Sequence, residues 1–298
     1  MTRQQLSLAY ALDLLAGDPE WFPHPVRWFG WMIERGDRRL PRDQFSGAAL
    51  TCSVVAIAWA LGRPRHPAWR VVLAWTTLAT RSLIGESSAV IRALEAGDLE
   101  LARRRLARIV GRDTDHLDES EISRAVIETL AESACDGIVA PLFWLTAGGV
   151  SCAMAYKAVN TLDSMIGHRE PHYRQFGKVA ARLDDAANFV PARLTALGIV
   201  AAAKLQGLDA EAAWSAWRAD GNKHASPNAG QSEAAMAGAL GVRLGGLNSY
   251  DGESHEAPVL HSAGRRPTVK HARAALSTVA IVSGLAFGVA LLVVGRKR

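Results

Sequence analysis

Apolar runs and polar, charge-dense stretches alternate along the whole chain, and their lengths predict helices almost throughout. Residues 6–16 form an apolar helix that carries Asp13, too short to span a bilayer, and Gly17-Asp18-Pro19 ends it. The aromatic, Pro-rich stretch EWFPHPVRWFGWMIERGDRRL follows. Its Trp21, Trp28 and Trp31 fit an interfacial aromatic belt, and His24 and Arg27 fit an anion site beside that belt. Apolar runs at 46–62 and 68–85, separated by RPRHP, predict a transmembrane hairpin. Arg35, Arg38, Arg39 and Arg42 precede it, against Arg63 and Arg65 in its turn, so residues 42 and 86 are expected on the cytoplasmic side. Residues 86–110 alternate apolar and basic positions and break at Gly97, as in a surface helical hairpin.

Residues 111–194 hold most of the clustered polar chemistry. Asp118 with Glu121 three positions on forms a capping box, with Leu117 as its staple. On the helix that follows, Arg124, Glu128 and Glu132 share one face, and Ile122, Val126 and Leu130 share another. Residues 138–156 are apolar but contain Pro141 and Gly148-Gly149. A single crossing there would put the polar stretches on either side into different compartments, so a re-entrant hairpin turning at Gly148-Gly149 is expected. At 100° per residue, Lys157, Asn160, Thr161, Ser164 and His168 fall on one face, with Asp163 at its border. Lys178, Arg182, Asp185 and Asn188 fall together in the next helix, with Asp184 beside them. Such stripes are usually solvated faces. Two in succession, each with a cation, a carboxylate and an Asn beside apolar segments, instead suit a metal–phosphate site.

Residues 192–207 are a marginal span or a packed helix. The turn-rich loop 220–230 carries Lys223, His224, Ser226 and Asn228 and opens a helix near Gly230, either as a plain cap or as an anion site. Residues 251–270 show no periodicity and are expected to be loop, and 274–294 predict a C-terminal transmembrane helix. No GxxxxGK[ST] occurs anywhere, which excludes a P-loop nucleotidase.

Composition adds to this picture. The 298 residues are 49% apolar and 21% charged, with a net charge of +5 and a pI of about 9.4. The arginines are scattered and form no basic run interleaved with aromatics, which argues against nucleic acid. Cys52, Cys135 and Cys152 form no CxxC pair, so no disulfide framework or zinc knuckle is expected. No cleavable signal is evident at residues 6–15. The expected architecture is an all-α, polytopic membrane protein, one integral membrane domain over 1–298. It comprises the 46–85 hairpin, a helical catalytic region at 86–250 with cytoplasmic-facing polar helices, and the 274–294 helix.

LDLLAGDPEWFPHPVRWFG, GRDT, ISRAVIETLAES, CDGIVAPLFW, MAYKAVNTLDSMIGH, ARLDDAANFVPARLTA and KHASPNAGQSEAAMAGALGV together resemble the CobD/CbiB family, in order and over nearly the whole chain. Those are the cobalamin biosynthesis membrane proteins called adenosylcobinamide-phosphate synthase. Ser133 and Gln231-Ser232 depart from the family's usual residues and receive no role. The resemblance implies a multi-pass protein of the inner membrane that forms an amide. Cobyric acid would be joined to aminopropanol or ethanolamine, or their phosphates, with ATP and Mg²⁺. A homo-oligomer or a complex with other late cobalamin enzymes is a further implied partner.

On that footing Asp163, Asp184 and Asp185 are expected to hold Mg²⁺, Asp163 and Asp185 also counting as catalytic. Lys157, Arg182 and Lys223 would bind phosphates, with Asn160, Asn188, Ser226 and Asn228 orienting. Glu128 or Glu132 would take the amine proton, and His24 and Arg27 would contact the corrinoid. Two rivals stand beside this reading. A scaffold or sensor of the AmpE type should lack the Asp163, Asp184-Asp185 and Asn228 groupings, which are present. A corrinoid-binding or transport module would show no ATP turnover.

Overall fold

The structure, a computed structural model, describes residues 1–63, 66–168, 170 and 172–296. Arg65 of the predicted turn lies outside them. The chain is mostly helical, in the order α1 (Arg3–Ala16), α2 (Pro25–Arg39), α3 (Gln44–Leu61), α4 (Pro67–Trp75), α5 (Thr80–Glu95), α6 (Leu99–Leu106) and α7 (Glu119–Ala134). A π-helical turn, Cys135–Val139, leads into α8 (Ala140–Ala147), α9 (Gly149–Ile166), α10 (Lys178–Gln206), α11 (Ala210–Asp220) and α12 (Ala229–Leu240). Strands β1 (Leu244–Tyr250) and β2 (Glu253–Leu260) precede α13 (Val269–Arg296). Among the described residues, three helices are long and apolar enough to cross a membrane: Gln44–Leu61, Lys178–Gln206 and Val269–Gly295.

Contacts divide the chain into two compact units. Met1–Arg81, Asp136–Asn188 and Phe287–Arg298 make the first, and Ser82–Cys135 and Phe189–Ala286 the second. In the first unit α3, α2 and α8 pack on α9, and α1 packs on α4. Its core includes Leu6, Phe29, Ile33, Val54, Leu142, Met154, Leu162 and Phe176. In the second unit α12 packs on α11 and α7. Gly238 makes this possible: a Cβ there would lie 2.3 Å from the Ala212 carbonyl oxygen. The two strands form one antiparallel hairpin beside α7 and α12.

Local chemistry explains most boundaries. The Thr2 hydroxyl accepts from Gln5 N–H and the Gln5 side chain accepts from Thr2 N–H, which closes a capping box on α1. The predicted box at Asp118 and Glu121 is present, with both bonds at 2.8 Å. Pro25 stands in the first turn of α2, and His24 Nδ1 accepts from Val26 N–H at 3.4 Å.

The second arm of the predicted transmembrane hairpin is corrected. Residues 68–85 are not one helix, because α4 stops at Trp75 after nine residues. The hydroxyls of Thr76 and Thr77 donate to the carbonyls of Leu73 and Ala74, at 2.9 and 2.7 Å, taking up acceptors at the helix end. A new helix opens at Thr80, whose N–H donates to Asp13 Oδ2 at 3.0 Å. Burial raises Asp13 to a pKa of about 6.

The expected loop after residue 250 is also corrected, and with it the all-α expectation. Asp251 and Gly252 sit at φ 49° and 79°, the left-handed pair of a tight hairpin turn, and they join β1 to β2. At 138–156 the chain makes two helices that turn at Gly148-Gly149, Gly149 lying at φ 74°. Residues 192–207 are the end of the 29-residue α10, which runs through Pro191.

Candidate functional site

The first unit gathers a polar centre on α9, α10 and the loop before α2. Lys157 on α9 is half-buried, and the charges of Asp136, Asp18 and Asp184 act on it. Burial nevertheless sets its ammonium below the usual lysine value, because the loss of water outweighs the three carboxylates. Asn160, one turn on, donates to Asp136 Oδ2 at 3.0 Å. On α10, Asn188 donates to Asp184 Oδ2 at 3.0 Å, and Tyr156 donates to Asn188 Oδ1 at 2.9 Å. Asp184 Oδ1 is buried without a well-formed hydrogen bond among the described residues, and the Asn160 amide nearby favours its charged form. A carboxylate held by one oxygen, with the other inside the protein, is an acceptor suited to a cation or a ligand donor.

The helical period explains this gathering. Positions 157 and 160 share a face of α9, and 184 and 188 are one turn apart on α10. The other expected first-unit residues are placed differently. His24 is buried with Nε2 3.3 Å from Asp18 Oδ1. Arg27 is exposed and donates to the carbonyls of Glu20, Phe22 and Pro19, bracing the loop before α2. Arg182 is 79% exposed and 3.7 Å from Asp185 Oδ2, an ion pair that water largely screens. Asp163 is half-buried against Gly167, whose N–H donates to its carbonyl. Among the described residues no three His, Cys, Asp or Glu side chains come together as a metal cluster.

The second unit has a different centre. Glu128 accepts from Arg112 at 2.7 Å through Oε2, and from Arg124 at 3.3 Å and Gly245 N–H at 2.8 Å through Oε1. Arg112 also donates to Asn248, and Arg124 to the carbonyls of Gly245 and Leu247. The network thus ties α7 to strand β1. Glu233, buried on α12, faces the same charges. Burial first, then the negative charges of Glu128 and Glu132, hold its carboxyl well above the usual glutamate value. Glu132 is exposed on α7. Asp113 accepts from the Ser249 hydroxyl and from the N–H groups of Gly252 and Asp251, which keeps its carboxyl below the usual aspartate value.

The loop at 220–230 belongs to this unit. Lys223 pairs with Asp220 at 2.6 Å and stays half-exposed. Ser226 Oγ accepts from the N–H groups of Asn228 and Ala229 at 3.3 Å, capping α12, and Asn228 is buried. Gln231, left without a role by the sequence, clamps the loop. Its amide donates to the Gly221 and Pro227 carbonyls and to Asn222, and its oxygen accepts from Trp217.

Several residues escaped the sequence pattern: Asp18, Asp136, Tyr156, Arg112 and Glu233. Asp136 ends one polar stretch and Tyr156 ends an apolar one, so neither lies on a helical stripe. Glu233 carried a usable signal. It is the only charged residue from 225 to 242, and α12 is buried along its whole length.

Comparison with known proteins bears on this arrangement as a whole. A family model described as CobD/Cbib protein matches residues 6–279. The cobalamin biosynthesis protein CobD of Geobacter metallireducens is 49% identical over 267 residues, 85% of this chain and 84% of that protein. The protein of the same name from Klebsiella pneumoniae is 44% identical over 305 residues, covering 96% and 95%. The cobalamin biosynthesis protein CbiB of Salmonella typhimurium is 43% identical over 320 residues, covering 99% and 98%. No solved structure matches.

Proposed function

Because the chain belongs to the CobD/CbiB family of cobalamin biosynthesis proteins, we propose that it is the ATP-dependent amide synthase of that pathway, acting in the inner membrane. The substrates are the corrinoid cobyric acid and aminopropanol or ethanolamine, free or phosphorylated. The observation that supports this reading is the first-unit centre, where Asn188 bonds Asp184 and the charge of Asp184 acts on the half-buried Lys157.

The chemistry explains why such a centre is needed. A carboxylate resists attack by an amine, so it is first phosphorylated. Its oxygen bonds to the γ-phosphorus of ATP, and ADP leaves. The amine nitrogen then attacks the acyl carbon, phosphate departs, and the amine's proton passes to a base. Both steps move negative charge on phosphate oxygens, which a fixed cation and amide donors stabilise most where water is scarce. In this scheme Lys157 neutralises a phosphate oxygen, and Asn160 and Asn188 orient ligand and carboxylate. Arg182 contributes charge from the exposed face.

Mg²⁺, when bound, neutralises the phosphate oxygens. The residues fit it through Asp184, whose Oδ1 is buried without a well-formed hydrogen bond among the described residues, with Asp185 and Asp163 as further oxygen ligands. One or two carboxylates plus substrate phosphates is the usual Mg²⁺ arrangement, so a cluster of three is not required. His24, held beside Asp18, contacts the corrinoid with Arg27 in this reading. Both oxygens of Glu128 are committed to arginines and a backbone N–H, which argues against Glu128 as the base for the amine's proton. The two helices turning at Gly148-Gly149 are read as re-entrant, with the polar helices on the cytoplasmic side.

The test is direct. Detergent-purified protein is incubated with cobyric acid, ATP, Mg²⁺ and each amine in turn, and the product is identified by mass spectrometry. The corrinoid amide and ADP are expected. Binding of cobyric acid without amide formation with any of the amines would sink the proposal.

A further inference from the structure

The second unit contains a cavity of about 480 Å³ between the first turns of α7 and strand β1, a size that holds a small organic molecule. Three arginines, Arg124, Arg243 and Arg266, stand on its wall against one carboxylate, Glu121. Glu121 is engaged in capping α7, where it accepts from Asp118 N–H at 2.8 Å. Arg124 is buried and pinned by its bonds to the Gly245 and Leu247 carbonyls. Arg266 is exposed and paired with Asp118. Arg243 is exposed and has no carboxylate partner among the described residues. Leu247 and Val259, 64% and 40% exposed, give the cavity an apolar lining as well. Gly246, at φ 90°, also lines the cavity.

We propose that this arginine-walled cavity binds a small phosphate-bearing molecule, its phosphate on Arg243 and Arg266 and its organic part against Leu247 and Val259. Guanidinium groups match phosphate oxygens in pairs, and one of the two cations is already without an anion. The shared chemistry admits a nucleoside triphosphate or an amino-alcohol phosphate. The choice of these two ligands rests on the proposed synthase reaction, but the cavity uses none of the residues assigned to that reaction.

The test is ligand-dependent thermal stabilisation of the full chain in detergent at constant ionic strength. The probes are inorganic phosphate, ATP and ethanolamine phosphate, with chloride as the reference. At least one phosphate probe should stabilise the protein beyond chloride, and the strongest one identifies the ligand class. Arg243→Gln should weaken that ligand about tenfold or more, as loss of a charge-assisted pair does, and Arg243→Lys should recover part of it. Arg108→Gln, an exposed arginine paired elsewhere with Glu86, should leave it unchanged. The arginine variants are compared in the Lys157→Met background, which removes the first-unit phosphate cation and so separates this cavity from that centre. In the Lys157→Met background, no stabilisation beyond chloride, or stabilisation that survives Arg243→Gln, overturns the proposal.

Discussion

The two polar centres use similar residue types to opposite ends. In the first unit one cation, Lys157, faces three carboxylates, and Asp184 keeps an oxygen without a well-formed hydrogen bond among the described residues. In the second unit one carboxylate, Glu128, is enclosed by two arginines and a backbone N–H, and the same arginines hold the strand beside it. A centre with charge left over invites a ligand. A centre whose charges are mutually satisfied fixes a fold, because a buried ion pair is costly to break whatever its net worth. Charge density alone therefore does not mark a site; the state of each acceptor does.

The largest effect that tests this contrast is at Glu128. Glu128→Ala leaves Arg112 and Arg124 buried without their anion and should destabilise the protein by about 3–5 kcal/mol, read as a large drop in unfolding midpoint. A change under about 1 kcal/mol would show that the network is not structural.

Lys157→Met should do the reverse. The fold should persist, while amide synthesis falls about 10²- to 10³-fold, as when a preorganised donor to a developing charge is lost. Because burial lowers the Lys157 ammonium, activity should also fall on the alkaline side at a pH below the ordinary lysine value. Lys157→Arg, which stays charged, should move that limb upward even if turnover is lower.

Asp184→Asn removes one negative charge while keeping the shape. It should raise the Mg²⁺ concentration needed for half-maximal activity, with little change in unfolding midpoint. An unaltered Mg²⁺ requirement and full activity would remove Asp184 from the metal assignment.

Glu233→Gln should have the smallest effect on folding at acid pH, where Glu233 is protonated in both states. The native state holds a proton on Glu233 that the unfolded chain releases near pH 4.3. Its contribution to stability is therefore fully present below that value and is lost as pH rises through the raised native pKa. Stability should decline with rising pH in the parent and less steeply in Glu233→Gln, as unfolding midpoints across pH would show.

Much of this was legible in the sequence where one chain segment sufficed to decide it. The capping box at Asp118, the turn at Gly148-Gly149 and the shared face of Lys157 with Asn160 follow from helical period and cap chemistry, whereas Asn188, grouped by sequence with Asp185, bonds Asp184 instead. Asp251-Gly252 carried an equally local hairpin signal, hidden by the absence of alternation in a strand that stays exposed. The break at Thr76-Thr77 was harder to see, since each neighbouring run is apolar enough to continue.

What the sequence determined alone was the set of helices, the family and the residues able to do phosphate chemistry, because periodicity, caps and charge are properties of short stretches. Only the tertiary structure decided which of those residues are free to act. Arg124, four positions from Glu128, is a local partner, but Arg112 and the Gly245 N–H that complete the carboxylate's enclosure lie 16 and 117 positions away. Burial and pairing at such distances come from packing, which no local pattern encodes.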